Sequence, residues 1–174
     1  NNKNFDDLLT FLKDRLINFL REQKFTAQEV DAVTTDLPDE FNTIIDKLLA
    51  IQTFSKLEDA SHLAASNKRV GNIIKKYSFD DDLTINQKLF IEDVEEKLYV
   101  LLLKLDKDVR EDVGSQKYIE ALAKLVQLKS PIDDFFDKVM VNAEDAKLKK
   151  NRHNMLRMLH QVLNRVADIS KLST

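Results

Sequence analysis

The chain has 174 residues, about the size of one domain and enough to bury a sizeable core. With 43% hydrophobic and 33% charged residues, it is too apolar for a disordered tail and too often interrupted by charge to span a membrane. The absence of cysteine excludes disulfides and thiolate chemistry, and two glycines are too few for a glycine-rich nucleotide-binding loop.

Apolar residues recur at three- and four-residue spacing along almost the whole chain, which predicts an all-α helical bundle of about seven to eight helices. We expect helices near residues 5–23, 27–35, 39–53, 56–77, 85–112, 116–128, 131–141 and 143–170. A polar stretch near 78–84 could divide the bundle into two sub-bundles. Both groups of helices have apolar stripes, but neither is clearly large enough to fold alone, so residues 1–174 are interpreted as a single domain. The chain does not begin with Met, and we expect it to be a C-terminal fragment of a longer subunit.

Four helix starts carry a short polar side chain that can accept hydrogen bonds from the N–H groups of a first turn. The pairs that predict these starts are Thr26 with Glu29, Thr84 with Gln87, Ser130 with Asp133, and Asn142 with Asp145. Pro131, directly after Ser130, is favoured at the first position of a helix.

The net charge of −3 means that nucleic acid could be bound only by a basic patch. Two runs without acidic residues, 60–79 and 147–166, could supply one. In the first run, Leu63, Val70 and Ile74 mark the buried side of the helix, so that Asn67 should point inward to an internal hydrogen bond. Arg69, Asn72 and Lys76 should then point outward.

In the second run, the outer face of the last helix is predicted to form a continuous row of hydrogen-bond donors. Its members are Lys147, Lys150, Asn154, Arg157, Gln161 and Arg165. Arg152 falls beside the apolar stripe, where we expect a carboxylate such as Asp137 or Asp145 to hold it. Gly71 in mid-helix costs about 1 kcal/mol relative to Ala, which the close approach of another backbone would explain.

Catalytic and metal-binding signals are weak. His153 and His160 are two helical turns apart, roughly 10 Å, too far for one metal ion without further ligands, so both are expected to be exposed. Asp133 and Asp137 are better explained by the helix dipole than by acid–base chemistry. Tyr77 and Phe79 could stack on unpaired RNA bases, although a core position is favoured for Phe79. From these residues alone, basic faces that are only solvated surface of a bundle are favoured over an RNA-binding site.

Several segments together resemble a known family. They are Ser-Pro-Ile-Asp-Asp-Phe-Phe-Asp-Lys-Val-Met-Val at 130–141, Asn-Arg at 151–152, Val-Ala-Asp-Ile-Ser at 166–170, Leu-Ala-Ala-Ser-Asn-Lys-Arg-Val-Gly-Asn-Ile-Ile-Lys-Lys at 63–76, and Phe-Leu-Lys-Asp-Arg-Leu at 11–16. In this order they are similar to the C-terminal anticodon-binding (DALR-type) domain of the bacterial glycyl-tRNA synthetase beta subunit. Lys24 departs from the pattern, since that family usually has a helix-ending glycine there.

The resemblance implies a domain that docks on the anticodon region of glycine tRNA and positions it for aminoacylation by the alpha subunit. The fragment itself would have no catalytic site, cofactor or metal, because ATP and Mg²⁺ would belong to the catalytic subunit of this glycine-tRNA ligase. Expected partners are glycine tRNA, the alpha subunit and the remainder of the beta subunit, in the bacterial cytoplasm, without membrane or DNA.

The same resemblance, combined with the helical positions, predicts the tRNA-binding residues. They are Arg15, Lys68, Arg69, Asn72, Lys75, Lys76, Lys147, Lys150, Asn151 and Arg157. Asn67, Arg152 and Asp137 are predicted to support the site from inside. The alternative is a helical protein–protein interaction module whose basic faces are incidental.

Overall fold

The computed structural model describes residues 2–35, 43–77 and 83–173, with the side chains of residues 2–9 left undescribed. Within these ranges the chain is helical, without strands, so the all-α prediction is confirmed. The α-helices are α1 (Asn2–Glu22), α2 (Ala27–Thr34), α3 (Ile44–Phe54), α4 (Ala60–Ile74), α5 (Asp93–Gly114), α6 (Tyr118–Leu125), α7 (Lys129–Lys138) and α8 (Ala146–Leu163). Short 3₁₀ helices cover Gln87–Leu89, Val126–Leu128 and Ile169–Leu172. None of the described helices is long and apolar enough to cross a membrane.

The front and rear helices pack together. α3 packs on α6, while α4 packs on α8 and on the 3₁₀ helix Ile169–Leu172, which also contacts α2. The backbone N–H of Asp168 donates to the carbonyl of Ala32 at 2.9 Å, tying the C-terminal segment to α2. Residues 78–82 of the suggested division, including Phe79, and residues 39–42 of the predicted third helix lie outside the described ranges. In the packing of α4 on α8, one side of α4 lies against the core and the opposite side is exposed.

Only some of the predicted helix starts are confirmed. The Thr26–Glu29 capping box forms, with Thr26 N–H donating to Glu29 Oε2 at 2.8 Å and Glu29 N–H donating to Thr26 Oγ1 at 3.2 Å. The predicted start at Thr84 is wrong, since α5 begins at Asp93. There the N–H groups of Ile91 and Glu92 donate to the buried carboxylate of Glu95.

The two later starts also differ from the prediction. The chain passes from α6 through the 3₁₀ helix into α7 without a break, so Ser130 lies inside the first turn rather than capping it. Pro131 is tolerated there because first-turn N–H groups have no partner in the helix. α8 is capped by Asp145, not Asn142, with Asp145 Oδ1 accepting from the N–H groups of Lys147 and Leu148.

Lys24 follows α1 with a φ of 30°, inside the left-handed region that favours glycine. The chain therefore makes at Lys24 the turn that a glycine would make, and the backbone of Lys24 is strained. Lys24 also accepts a hydrogen bond from Gln52 Nε2 through its carbonyl, at 3.3 Å.

Candidate nucleic-acid interface

The open side of α4 carries basic and amide groups. Lys68, Asn72 and Lys76 are spaced one helical turn apart on one stripe, and all three side chains are exposed. In the part of the chain that the structure describes, no carboxylate lies within ion-pair distance of Lys68 or Lys76. Both ammonium groups are therefore available to an anionic partner.

An aromatic pair lies where the end of α4 meets α8. The rings of Tyr77 and His153 stack with centroids 4.0 Å apart and an angle of 21° between their planes. The ammonium group of Lys149 lies 5.9 Å from the centroid of Tyr77. A stacked pair beside a cation can hold a further flat, electron-rich ring.

His153 is oriented by a hydrogen bond within α8. Its Nδ1 lies 2.9 Å from the carbonyl oxygen of Lys149, an acceptor, so Nδ1 carries the proton and donates. Burial lowers the pKa of His153, and the positive charge of Lys149 lowers it further, while the bond to the carbonyl opposes both. The predicted exposure of His153 is wrong, because the ring is buried under Tyr77.

Arg69 is oriented by an aromatic ring on α7. Its guanidinium carbon lies 3.9 Å from the centroid of Phe136, a cation–π contact. The arginine nevertheless stays exposed. Its donors are thus held near the surface of α4 by a fixed neighbour.

These groups line a cleft of about 510 Å³ between α4 and α8, which we call the basic groove. Its cations are Lys68, Arg69, Lys76 and Lys149. No acidic side chain is found among the described residues that line it. The amide groups of Asn72 and Asn142 reach the same cleft. A groove with cations, an aromatic stack and amides has the chemistry to bind phosphates and the edges of unpaired bases.

A second cavity of about 310 Å³ lies on the other side of α4, next to the 3₁₀ helix Ile169–Leu172. It is lined by Gly71, Lys75 and the half-buried His160, among others. A Cβ added to Gly71 would lie 3.5 Å from Nε2 of His160, an ordinary contact. The predicted approach of another backbone is therefore wrong, since a side-chain ring covers Gly71.

The wall of the second cavity contains a buried amide pair. Asn67 Nδ2 donates to Asn164 Oδ1 at 2.7 Å, and Asn164 Nδ2 donates back at 3.3 Å. Asn164 also donates to the carbonyl of His160 at 2.9 Å. The prediction that Asn67 points inward to an internal hydrogen bond is confirmed.

Comparison with known protein families identifies the family of the chain. The model of the DALR anticodon binding domain matches residues 63–174, more than half of the chain. The chain belongs to the DALR anticodon binding domain family. The matched residues include α4 from residue 63 onward, α8 and the C-terminal 3₁₀ helix. The described lining residues of the basic groove, and those of the second cavity except Thr35, therefore lie inside the match.

Similar full-length proteins carry one name. The chain is 44% identical to the glycine–tRNA ligase beta subunit of Methylobacillus flagellatus over 163 residues, which is 94% of this chain and 23% of that protein. It is 44% identical to that of Dechloromonas aromatica over 166 residues, 95% of this chain and 23% of that protein. The corresponding protein of a Janthinobacterium species is 43% identical, with coverage of 95% and 24%. The chain thus spans about a quarter of the length of these relatives.

The predicted donor row along α8 is not continuous. Asn154 is buried and donates to the carbonyl of Thr84 at 2.9 Å. Arg165 is bound to Asp106 on α5. Lys150 and Arg157 are half-buried, while Lys147 and Gln161 are exposed. The row is interrupted because residues 83–90 and α5 pack against α8, which the helical projection of α8 alone does not show.

Asn151, predicted to contact tRNA, is buried and holds part of the fold of the DALR domain in place. Its buried side chain accepts a hydrogen bond from Asn86 N–H at 2.7 Å and donates to the carbonyl of Asn86 at 3.2 Å. One amide side chain thus satisfies both the backbone N–H and the backbone carbonyl of Asn86. This holds the 3₁₀ helix Gln87–Leu89 against α8.

Arg152 is held by a carboxylate, but not by either predicted one. Its Nε donates to Glu95 Oε1 at 2.9 Å, and its Nη1 donates to the carbonyl of Met140 at 3.0 Å. Burial would raise the pKa of Glu95, yet the bonds from Arg152 and from backbone N–H groups lower it overall. Asp137 is exposed and Asp145 caps α8, so the predicted pairing with either is wrong. A supporting role of Asp137 through Arg152 is therefore excluded, and any other role of Asp137 in the site stays a prediction.

The remaining predicted contacts divide by position. Lys68, Arg69, Asn72, Lys75 and Lys76 line one or both cavities, whereas Arg15 lies on α1, which packs on α2. The guanidinium of Arg15 is 5.1 Å from the ring of Phe11, and its contact with tRNA stays a prediction.

Two cavity cations were not among the predicted contacts. Lys149 lies in the second acid-free run, but its place in the basic groove depends on how α8 packs on α4. Lys171, exposed at the second cavity, follows that run and carried no signal of its own. No group of three or more His, Cys, Asp or Glu side chains in the described ranges is placed to hold a metal ion.

Proposed function

We propose that this DALR domain binds the anticodon region of glycine tRNA as part of a glycine-tRNA ligase beta subunit. The observation that carries the proposal is the basic groove, whose described lining has cations and stacked aromatic rings but no acid. It lies inside the family match, and the similar full-length proteins are named as glycine–tRNA ligase beta subunits.

The groove would bind RNA in two ways. Lys68, Arg69 and Lys76 would contact phosphates and fix the position of the RNA, contributing affinity without sequence preference. Asn72 and Asn142 each present both a donor and an acceptor, which can recognise the edge of an unpaired base. Since the chain carries a net charge of −3, the affinity would come from this local patch.

The chemistry of the ligase would lie elsewhere. We place glycine activation, with its ATP and Mg²⁺, in the alpha subunit, and expect the beta subunit and this domain to position the tRNA in the cytoplasm. Lys147, Lys150 and Arg157 on α8 would contribute outer phosphate contacts, if the tRNA extends beyond the groove.

Filter binding with the complete ligase tests the proposal. Three RNAs are compared: glycine tRNA, the same tRNA with a substituted anticodon, and an unrelated tRNA. We expect the tightest binding to glycine tRNA, and a loss of about tenfold or more on changing the anticodon. The Lys76→Glu variant should bind more weakly, whereas Lys104→Glu, an exposed lysine on α5 outside the basic groove, should not.

Equal affinity for all three RNAs, unchanged by Lys76→Glu, would reject the proposal. The alternative, a helical protein–protein interaction module, would then be favoured. One observation favours that alternative: α5 exposes Val100 and Leu103, and Val100 lines a largely apolar cavity of about 460 Å³.

A further inference from the structure

The two asparagines of the basic groove stand on different kinds of backbone. Asn72 lies inside α4, whose hydrogen-bonded turns fix its position. Asn142 lies in the loop 139–145 between α7 and α8, and its side chain is exposed. A loop residue can recognise a base edge sharply only where the loop itself is held in one conformation. The contacts that hold this loop therefore bear on what Asn142 can do.

Hydrophobic packing holds the first part of the loop. The side chains of Val139 and Val141 are buried, whereas that of Met140, between them, is exposed. The backbone N–H of Val139 also donates to the carbonyl of Phe135 at 2.9 Å, at the end of α7. Packing of two alternate side chains limits the path of the chain, but the peptide plane between them can still turn about its neighbouring dihedral angles.

Arg152 fixes that peptide plane. Its Nη1 donates to the carbonyl oxygen of Met140 at 3.0 Å. Because the peptide unit is planar, a fixed carbonyl also fixes the N–H of Val141 and the direction in which the chain continues to Asn142. The hydrogen bond therefore acts two residues before the side chain that lines the groove.

Glu95 fixes the direction of the donor in turn. Arg152 Nε donates to Glu95 Oε1 at 2.9 Å, and Nη2 donates to Oε2 at 3.4 Å. Since the guanidinium group is planar and rigid, pairing one of its edges with a carboxylate leaves Nη1 pointing in one direction, toward Met140. The fully buried Glu95 carboxylate is itself held by the N–H groups of Ile91 and Glu92, at 2.8 and 3.0 Å.

We propose that Arg152 is a positioning residue for anticodon recognition: through the carbonyl of Met140, it sets the direction in which Asn142 enters the basic groove. Arg152 is buried and makes no contact with the RNA itself. The inference rests on the proposed function, because it requires Asn142 to contact a base of the anticodon region. It gives the predicted supporting role of Arg152 a physical route to the groove.

This arrangement separates discrimination between RNAs from overall affinity. Lys68 on α4 and Lys76 just after it contact phosphates without any help from the loop 139–145. A loosened loop should therefore leave the salt dependence of binding unchanged. It should reduce the preference for the correct anticodon, because that preference comes from base edges and not from phosphates.

A double-mutant cycle in the complete ligase tests the inference. Arg152→Lys keeps a cation for Glu95 but lacks the second edge that reaches Met140. Asn142→Ala removes the amide. Filter binding gives the discrimination ratio, which is the affinity for glycine tRNA divided by that for the same tRNA with a substituted anticodon. Each single variant should lower this ratio by about two- to tenfold, as for one lost hydrogen bond, and the double variant should lower it no further.

Leu122→Ala is the control for lost stability. Leu122 is fully buried on α6 and is not among the described residues that line the groove. This variant carries a destabilising cavity but should keep the discrimination ratio of the unmodified ligase. Thermal melts establish that binding is measured below the unfolding range of every variant. The slope of log affinity against log salt should be the same in all of them.

A measurement on the unmodified chain decides the case in which Arg152→Lys does not fold. Nitrogen-15 relaxation of the 174-residue chain gives order parameters for the backbone N–H groups of Val141 and Asn142. We expect values of about 0.85, as in a rigid helix. Values below about 0.6 would show that the bond from Arg152 does not hold the loop, and would overturn the inference.

Four results of the binding experiment overturn the inference and leave the proposed function standing. They are an Arg152→Lys variant that keeps the discrimination ratio, an Asn142→Ala variant that keeps it, a double variant in which the two losses multiply, and a loss in Leu122→Ala as large as that in Arg152→Lys. If the unmodified ligase binds all the tRNAs equally well and Lys76→Glu changes nothing, the proposed function itself fails.

Discussion

The open face of α4 and the outer face of α8 look alike in the sequence but differ in the structure. Each belongs to a long run without acidic residues. Lys68 on α4 and Lys76 just after its end are exposed and border the basic groove. On α8, Asn151 and Asn154 are buried under residues 83–90, and Arg165, just after the end of α8, is bound to Asp106.

The difference shows what makes a basic helix face available. A charge run is free to bind a partner only where no other segment of the same chain packs on it. α4 has a cavity on each side, whereas α8 lies between α4, α5 and the 3₁₀ helix Gln87–Leu89. Substitutions at the covered positions of α8 should therefore change stability, and substitutions on the open face of α4 should change binding.

The largest effect is expected from breaking the buried ion pair. Arg152→Met leaves the Glu95 carboxylate buried without its partner, which should destabilise the fold by about 3–5 kcal/mol. Arg165→Met, which breaks the partly exposed pair with Asp106, should cost about 1 kcal/mol or less. Lys76→Ala, on the open face, should change stability by under about 0.5 kcal/mol. Urea unfolding of the 174-residue chain measures all three.

The double variant Arg152→Met with Glu95→Leu is the control for the buried charge. It should recover part of the lost stability, because no uncompensated carboxylate remains. If Arg152→Met and Arg165→Met destabilise the chain equally, Arg152 is not the structural anchor that its contacts indicate.

Acid should reduce stability in two steps. Burial lowers the pKa of His153 and of His160 below the ordinary value of 6.5, so the unfolded chain takes up protons first as the pH falls below about 6.5. The free energy of unfolding therefore decreases from about pH 6.5 down to the pKa that each histidine has in the folded chain. The pKa of Glu95 is also lowered, from 4.5, so a second decline follows below about pH 4.5. Unfolding free energies measured from pH 8 to pH 3.5 show both.

His153→Phe separates the two steps. The ring can still stack on Tyr77 but does not titrate, so the first decline should become shallower and the second should stay. An unchanged pH profile between 6.5 and 5 would contradict the burial of a neutral His153.

A small stabilising effect is expected at Gly71. The added methyl group of Gly71→Ala would make an ordinary contact with His160, so the helix gains up to about 1 kcal/mol of stability. A thermal melt of the 174-residue chain should shift upward. A clear loss of stability would mean that the α4–α8 packing is too tight at this point for a methyl group.

Local patterns predicted the features that depend on neighbours in sequence. The all-α class, the Thr26–Glu29 capping box and the inward position of Asn67 follow from spacing alone. The start of α5 could not be predicted from Thr84 and Gln87, because Glu95 is recruited both as a cap and as the partner of Arg152.

The site was predictable only in part, for a similar reason. The acid-free runs indicated the cations of the groove. Which basic and amide side chains of these runs stay exposed depends on partners at distant positions in the sequence. Glu95 lies 57 residues from Arg152, and Asn86 lies 65 residues from Asn151. Likewise, the Tyr77–His153 stack joins two elements whose contact no local pattern encodes.

The salt dependence of tRNA binding tests most directly whether the open face of α4, rather than the covered part of the predicted α8 row, meets the RNA. The complete ligase is titrated with glycine tRNA at several salt concentrations, as the unmodified protein, with Lys68→Ala and Lys76→Ala together, and with Arg165→Ala. Each lost phosphate contact should reduce the slope of log affinity against log salt by about 1, so the double variant should lose about 2 and Arg165→Ala none. Binding of tRNA through the open face of α4 is contradicted if Arg165→Ala lowers the slope while the double variant keeps the slope of the unmodified ligase.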